Sequence, residues 1–378
     1  MVSFDEFRIG DGGALRGLEA RWHLTNLAWQ VTCVLLLTWV PIMVFGVLSP
    51  SREPLLHDPG MYVRLLLGAP ILLYLDFEFP TVCSRCLGQL LSQGFVPEVA
   101  RPQLQRTLRS ATRLADSRLP EVVIIVLSVA VMIGALWHRI PLTAHGLTHG
   151  LSVARLWYAV LALPLFEFLL LRSLWRWVVW VRFLVGVSHI ELALDPTHPD
   201  CRGGIGFLRY PSIAYCEVLL FVVSSVFVAE SHGRAMFGST IGSFVPLLVL
   251  FAAVGMLVAF GPLLVFAPQL VRARRFGRIE VGGFTAKLGR RFRRRWIVHT
   301  ESAREADPSS DVQELAAAAA TYRDRVDRLY WLLFEKHDLI TLVLATASPL
   351  VGVMLARVPS DDWLQLLGMV GGSIVPSP

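Results

Sequence analysis

The chain has 378 residues, of which 54% are hydrophobic and 17% charged, with a net charge of +6 and a mean hydropathy of +0.56. That balance excludes a water-soluble globular domain as the main body of the protein. The positive charge is gathered in a few loops, which argues against nucleic acid and for a lipid bilayer as the principal partner.

Of the 35 basic residues only Lys287 and Lys336 are lysine, the codon usage of a GC-rich bacterial genome. Five cysteines, Cys33, Cys83, Cys86, Cys201 and Cys216, give no disulfide framework, since Cys33 and Cys216 fall in apolar runs. Asp5, Glu6, Asp11 and Glu19 precede the first apolar run. No cleavable signal peptide is therefore expected, and the first span serves as its own targeting signal.

In chain order, residues 1–27 are expected to form a cytosolic N-terminal segment, followed by spans at roughly 28–48, 62–82, 120–138, 156–178, 212–230, 241–268 and 338–357. The sixth is the clearest, because Ala235–Val271 runs 37 residues without a charge and ends in Arg272, Arg274, Arg275 and Arg278. Arginine also crowds the loops 83–118 and 186–211 and the segment 269–337, which assigns those parts to the cytoplasm. The expected fold class is thus an all-α polytopic integral membrane protein of about seven helices, in a bacterial inner (cytoplasmic) membrane. Its N-terminus is cytoplasmic, and residues 358–378 form an external tail. Residues 28–268 make the six-helix transmembrane core. Pro70, Pro164 and Pro262 stand 94 and 98 residues apart, each followed by an apolar run, and suggest three hairpin repeats plus one helix.

Three cytosolic elements are expected. Pro102–Arg118 reads as a basic amphipathic helix with Leu104, Leu108, Ala111 and Ala115 on one face, suited to anionic headgroups. Ile190, Leu192 and Leu194, and again Arg278–Phe284, alternate like short strands that could pair as a ribbon. Residues 312–334 read as a helix whose stripe Leu315, Ala319, Tyr322, Val326, Leu329 and Leu333 needs a cover, either a sister subunit or the chain's own loops.

The string Asp195-Pro196-Thr197-His198-Pro199-Asp200-Cys201-Arg202-Gly203-Gly204-Ile205-Gly206-Phe207-Leu208 fixes a defined turn sequence. It resembles a loop in a set of uncharacterised bacterial polytopic inner-membrane proteins with a THPDxxGGxGFL-like motif, a resemblance that implies no activity. His198, Asp200, Arg202, Gly203 and Gly204 are ligand candidates there, with glycine amides open to an anion. The competing reading is a structural corner capping the fifth span.

Glu167 sits near the middle of the fourth span, where a charge is expensive and should face a bundle interior or wet cavity. With Arg172, Asp76, Glu78 and Glu217 it forms the candidate ion-path or gating set; the alternative is helix–helix glue between paired charges. His145 and His149 share a helical face, and Cys83 and Cys86 have CxxC spacing. Neither pair has the further ligands a metal site needs, so no metal and no cofactor is expected. No nucleophile elbow, Walker loop or dinucleotide fingerprint is present, so no catalytic residue is assigned. The expected function is an oligomeric protein, a homo-oligomer, that forms or gates a pathway for small ions. The alternatives are a scaffold docking a partner or anionic lipid on its basic cytosolic surface, and a lipid-modifying enzyme with the loop as its site.

Overall fold

The structure is a computed structural model that describes residues 26–49, 54–137, 152–235, 245–293 and 310–356. His145, His149, most of the N-terminal segment and the external tail lie outside the described residues. Every regular element among the described residues is helical. Six stretches are long and apolar enough to cross a membrane: Leu27–Val47, Pro59–Ser92, Glu98–Gly134, Val153–Ser188, Gly206–Ser231 and Val249–Arg290.

Helix α1 spans Leu27–Val47, capped by Asn26, whose side chain accepts the Ala28 amide at 3.0 Å. It is followed by α2 (Pro59–Tyr62), a π-helical turn over Val63–Gly68 and α3 (Ala69–Ser92) as one continuous rod. The same succession recurs in α6 (Val153–Trp157), a π-helical turn over Tyr158–Ala162 and α7 (Leu163–Ser188), with α4 (Arg101–Ala115) and α5 (Arg118–Trp137) lying between. The physical cause of both π turns is the proline at the second residue of the helix that follows, Pro70 and Pro164. A proline has no amide to offer the carbonyl four residues back, and its ring crowds that carbonyl. The wider turn just before it takes up the ring.

Helix α8 (Arg209–Ala235) is the central post; 61% of its apolar stretch is buried, against 11% of the stretch containing α5. It packs on α2 and α3, on α9 (Val245–Phe260), and most extensively on α12 (Lys336–Ala356). After α9 a 3-10 turn over Gly261–Phe266, opened by Pro262, leads into α10 (Ala267–Arg293), which pairs with α11 (Ser310–Asp327). The main core gathers Phe79, Trp180, Phe183, Tyr215 and Phe266 between α3, α7, α8 and the 3-10 turn. A second cluster, Ile42, Leu55, Met61, Leu65, Ala154 and Tyr158, fills the other end of the bundle.

Three expectations need correction. No strand forms among the described residues: 278–284 is the middle of α10, and 190–194 is irregular chain tied to Phe95 by the Ala193 amide at 2.8 Å. In this stretch of α10 the buried residues are Gly277 and Val281, four apart, so the helical period decides and the short alternation is incidental. Helix α4 turns Leu104, Leu108 and Ala111 onto α7, where Thr107 meets Gly186, so its apolar face is covered by protein and not by headgroups. Helix α11 ends at Asp327, and Leu329 and Leu333 lie beyond it in the turn leading to α12. Val326, Leu329 and Leu333 are each 1% exposed within the single chain, which covers that part of the stripe itself.

Candidate functional site: buried charges along the bundle

Helix α7 and the π turn before it carry polar side chains at successive depths. At the end of the bundle where α2 begins, Arg64 lies within its own π turn. Its Nη1 donates to the hydroxyl of Tyr158, the first residue of the other π turn, at 2.9 Å, and stands 2.8 Å from Glu230 Oε1 on α8. Asp58 caps α2, accepting the Gly60 amide at 3.0 Å. Two carboxylates thus face one guanidinium.

Deeper in the bundle the balance is reversed. Asp76 on α3 receives Arg172 Nη2 at 3.2 Å and Arg176 Nε at 2.8 Å, and Arg176 also donates to the Asp76 carbonyl. Arg172 and Arg176 are four residues apart, which puts both on one face of α7. Both side chains are more than nine-tenths buried. Beside them Tyr215 donates to the Ser173 carbonyl, and a turn further on Trp180 donates to the Ser212 hydroxyl, each at 2.8 Å. Here two guanidiniums face one carboxylate, so the two clusters carry opposite excess charge.

Glu167 stands between them. At about 1.5 Å per residue it lies roughly 13 Å along the axis from Tyr158 and roughly 8 Å before Arg172. It is half-buried and enters no ion pair among the described residues; the charge acting on it is Arg64. The alternative of Glu167 as glue paired with an arginine is not met by Arg172 or Arg176, because Asp76 takes both. Glu78 is two residues past Asp76, turned about 200° round α3 from it. Glu217 belongs to neither cluster: it accepts the hydroxyl of Thr341 and ties α8 to α12.

The glycine-rich loop is a structural corner filled by its own residues. Asp200 Oδ1 accepts the amides of Arg202 (2.8 Å) and Gly204 (3.0 Å), and Oδ2 accepts that of Gly206 (3.0 Å). Burial pushes this carboxyl up, but the three amides and His198 outweigh it and hold it below the usual carboxylate range. Of the glycine amides proposed for an external anion, those of Gly204 and Gly206 are therefore already satisfied from within. Arg202 is 3.2 Å from Glu335 and lies over the Tyr330 ring at 5.6 Å, while the Cys201 carbonyl accepts the Tyr330 amide. Arg209 completes the junction by pairing with Glu335 and with Asp338. The Arg209 hydrogen bond holds the Glu335 carboxyl below its ordinary value.

Asp58, Arg64, Tyr158 and Glu230 were not among the site candidates drawn from sequence. One signal was present: Arg64 and Tyr158 are 94 residues apart, the same step that separates Pro70 from Pro164. Cys83 and Cys86 are buried in α3, Cys86 against the Phe207 carbonyl. Among the described residues no group of three or more His, Cys, Asp or Glu could hold a metal. No protein-family model, curated protein or solved structure matches this chain.

Proposed function

We propose that this protein forms or gates a pathway for a small ion across a bacterial inner membrane, with Glu167 as the central group of the path. The observation that carries this reading is the row of charged side chains at several depths of α7, with a half-buried acid between two clusters of opposite excess charge. Stability alone does not call for such a row. Buried ion pairs are commonly matched or bettered by apolar residues of similar volume, and charges within a span are costly and commonly mark a path. In this reading the chain crosses seven times, α12 being the seventh span, with a cytoplasmic N-terminus. The matched succession of α2–α3 and α6–α7 supports an internal repeat for the first two hairpins. A homo-oligomer would complete the lipid-facing sides of α5 and α9.

The test is ion flux in proteoliposomes. Glu167→Gln should change flux severalfold while leaving expression and particle mass as in the parent. Loss of thermal stability with flux unchanged would make Glu167 a packing residue and remove it from the path.

A second reading, a scaffold that docks a cytosolic partner or anionic lipid, is favoured by a different observation. Helix α10 leaves the bundle carrying exposed Phe276, Ile279 and Phe284 among arginines. With α11 it lines a crevice of about 620 Å³. Absence of flux for every common ion would favour this reading.

A further inference from the structure

The cluster around Arg64 has a charge balance that ion pairing does not explain. Asp58 is 2% exposed; its Oδ1 is satisfied by Gly60, but its Oδ2 is buried with no hydrogen-bond partner. From the opposite side Glu230 Oε1 approaches Gly60 so closely that a Cβ there would collide with it. Asp58 and Glu230 therefore converge on one glycine. The guanidinium available to them, Arg64, is shared with the Tyr158 hydroxyl. A buried carboxylate oxygen without a donor is costly, and a second carboxylate beside it adds repulsion. One proton removes both costs: it gives Oδ2 a hydrogen to donate and leaves one carboxylate against one guanidinium.

We propose that Asp58 and Glu230 form a proton-binding pair, and that the ion handled along α7 is the proton. The second half rests on the pathway reading above; the first half does not. On uptake a hydronium O–H bond breaks and an O–H bond forms at Asp58 Oδ2, leaving water. On release the proton passes back to water or on to the Glu230 carboxylate. The groups facing the pair are Arg64 and, bonded to it, Tyr158, with the Gly60 and Met61 amides contributed by α2, while Glu167 is influenced by the same Arg64 charge. Burial, and next the Glu230 charge, raise the Asp58 carboxyl to about 6, with the Gly60 amide and Arg64 opposing. A metal cation fits less well, because the guanidinium already holds the Glu230 oxygen that a cation would need.

The setting of the pair agrees with a working site. Arg64 and Tyr158 lie in two separate π turns that bond to each other, and single π turns inside helices concentrate where function needs a locally adjustable backbone.

Infrared difference spectroscopy on the full chain in lipid tests the pair directly. A protonated-carboxyl stretch should grow as pH falls through about 6. It should be lost in Asp58→Asn, and move to a different frequency in Asp58→Glu, which keeps a carboxyl if the amide variant fails to fold. Glu230→Gln should lower its midpoint by roughly one pH unit, since a like charge is removed. Proteoliposomes with a pH gradient and symmetric sodium, potassium and chloride then test the ion. Proton flux should be present in the parent and lost in Asp58→Asn. No titrating carboxyl in the parent overturns the proton-binding pair, whatever the flux. A titrating pair with flux of sodium, potassium or chloride but not of protons overturns the proton as the ion and leaves the pathway standing. A titrating pair without any flux overturns the pathway and keeps the proton site.

Discussion

A single carboxylate organises the loop at one end of the bundle. Cys201, Gly203 and Gly204 all have left-handed backbones, with φ of 53°, 66° and 89°. That run of turns points three amides at Asp200. Glycine is required at 204 twice over, by its φ and because a Cβ there would meet the Phe95 ring. The structural role of Asp200 gives a pH prediction with a definite sign. Its carboxyl is held low in the folded protein, so its contribution is fully present above the unfolded value of about 3.9 and is lost as pH falls through the lower folded value. Asp200→Asn should cost on the order of 2 kcal/mol, the scale of hydrogen bonds to a charged group. Thermal unfolding in detergent from neutral to acid pH should show the variant less stable at neutral pH, with the gap narrowing towards acid. A gap that is constant with pH would mean that the charge of Asp200 does not contribute. The motif was legible as a specific turn because Pro and Gly dictate backbone geometry locally. Its self-capping was not, since the residue that fills a cradle is decided by backbone torsions that the letters do not carry.

Among the elements, those fixed by hydrophobic length were readable and those fixed by local alternation were not. Six long apolar stretches lie where the sequence put spans, because crossing a bilayer demands the same minimum apolar length of each. The alternation of Ile279, Val281 and the residues around them covers too few positions to separate a strand from a helix, and the helix entering from α9 simply continues through it. The π turns were invisible, although their cause, Pro70 and Pro164, was plain. The fate of the α11 stripe depended on whether α10 would pass alongside. It does: Arg278 pairs with Asp327 at 2.8 Å, and Val326 sits against Gly277. Val326→Asp should therefore loosen α11 from α10, by about 2–5 kcal/mol for the lost core contact, without changing particle mass. Limited proteolysis beside light scattering checks this. A halved mass with α11 still protected would return the stripe to a subunit interface.

At the scale of the whole molecule, the charges in the spans were legible as costly, but their partners were not. Sequence left the partners of Glu167 and Arg172 open, whereas packing of α3 on α7 brings Asp76, about a hundred residues away, to Arg172 and Arg176. Pairing across helices depends on rotation about each axis, which composition does not specify. Orientation, in contrast, is a property of the whole chain that sequence addresses directly, through the bias of arginine towards one set of loops. The structure groups those loops at one end: the 189–208 loop, the start of α8 and the turn before α12 meet through Arg202, Arg209, Glu335 and Asp338. Gln269, at the start of α10, joins the same end by donating to the Ser188 and Ile190 carbonyls at 2.7 and 2.8 Å. If the arginine bias governs insertion, this whole junction faces the cytoplasm, and the connection between α10 and α11 goes with it. A membrane-impermeant thiol reagent applied to intact cells should then leave Ser309→Cys unlabelled above the parent background and react with it only after permeabilisation. Ready labelling in intact cells would invert the molecule. The Asp58–Glu230 pair would then open to the cytoplasm, and any proton path along α7 would run in the opposite sense.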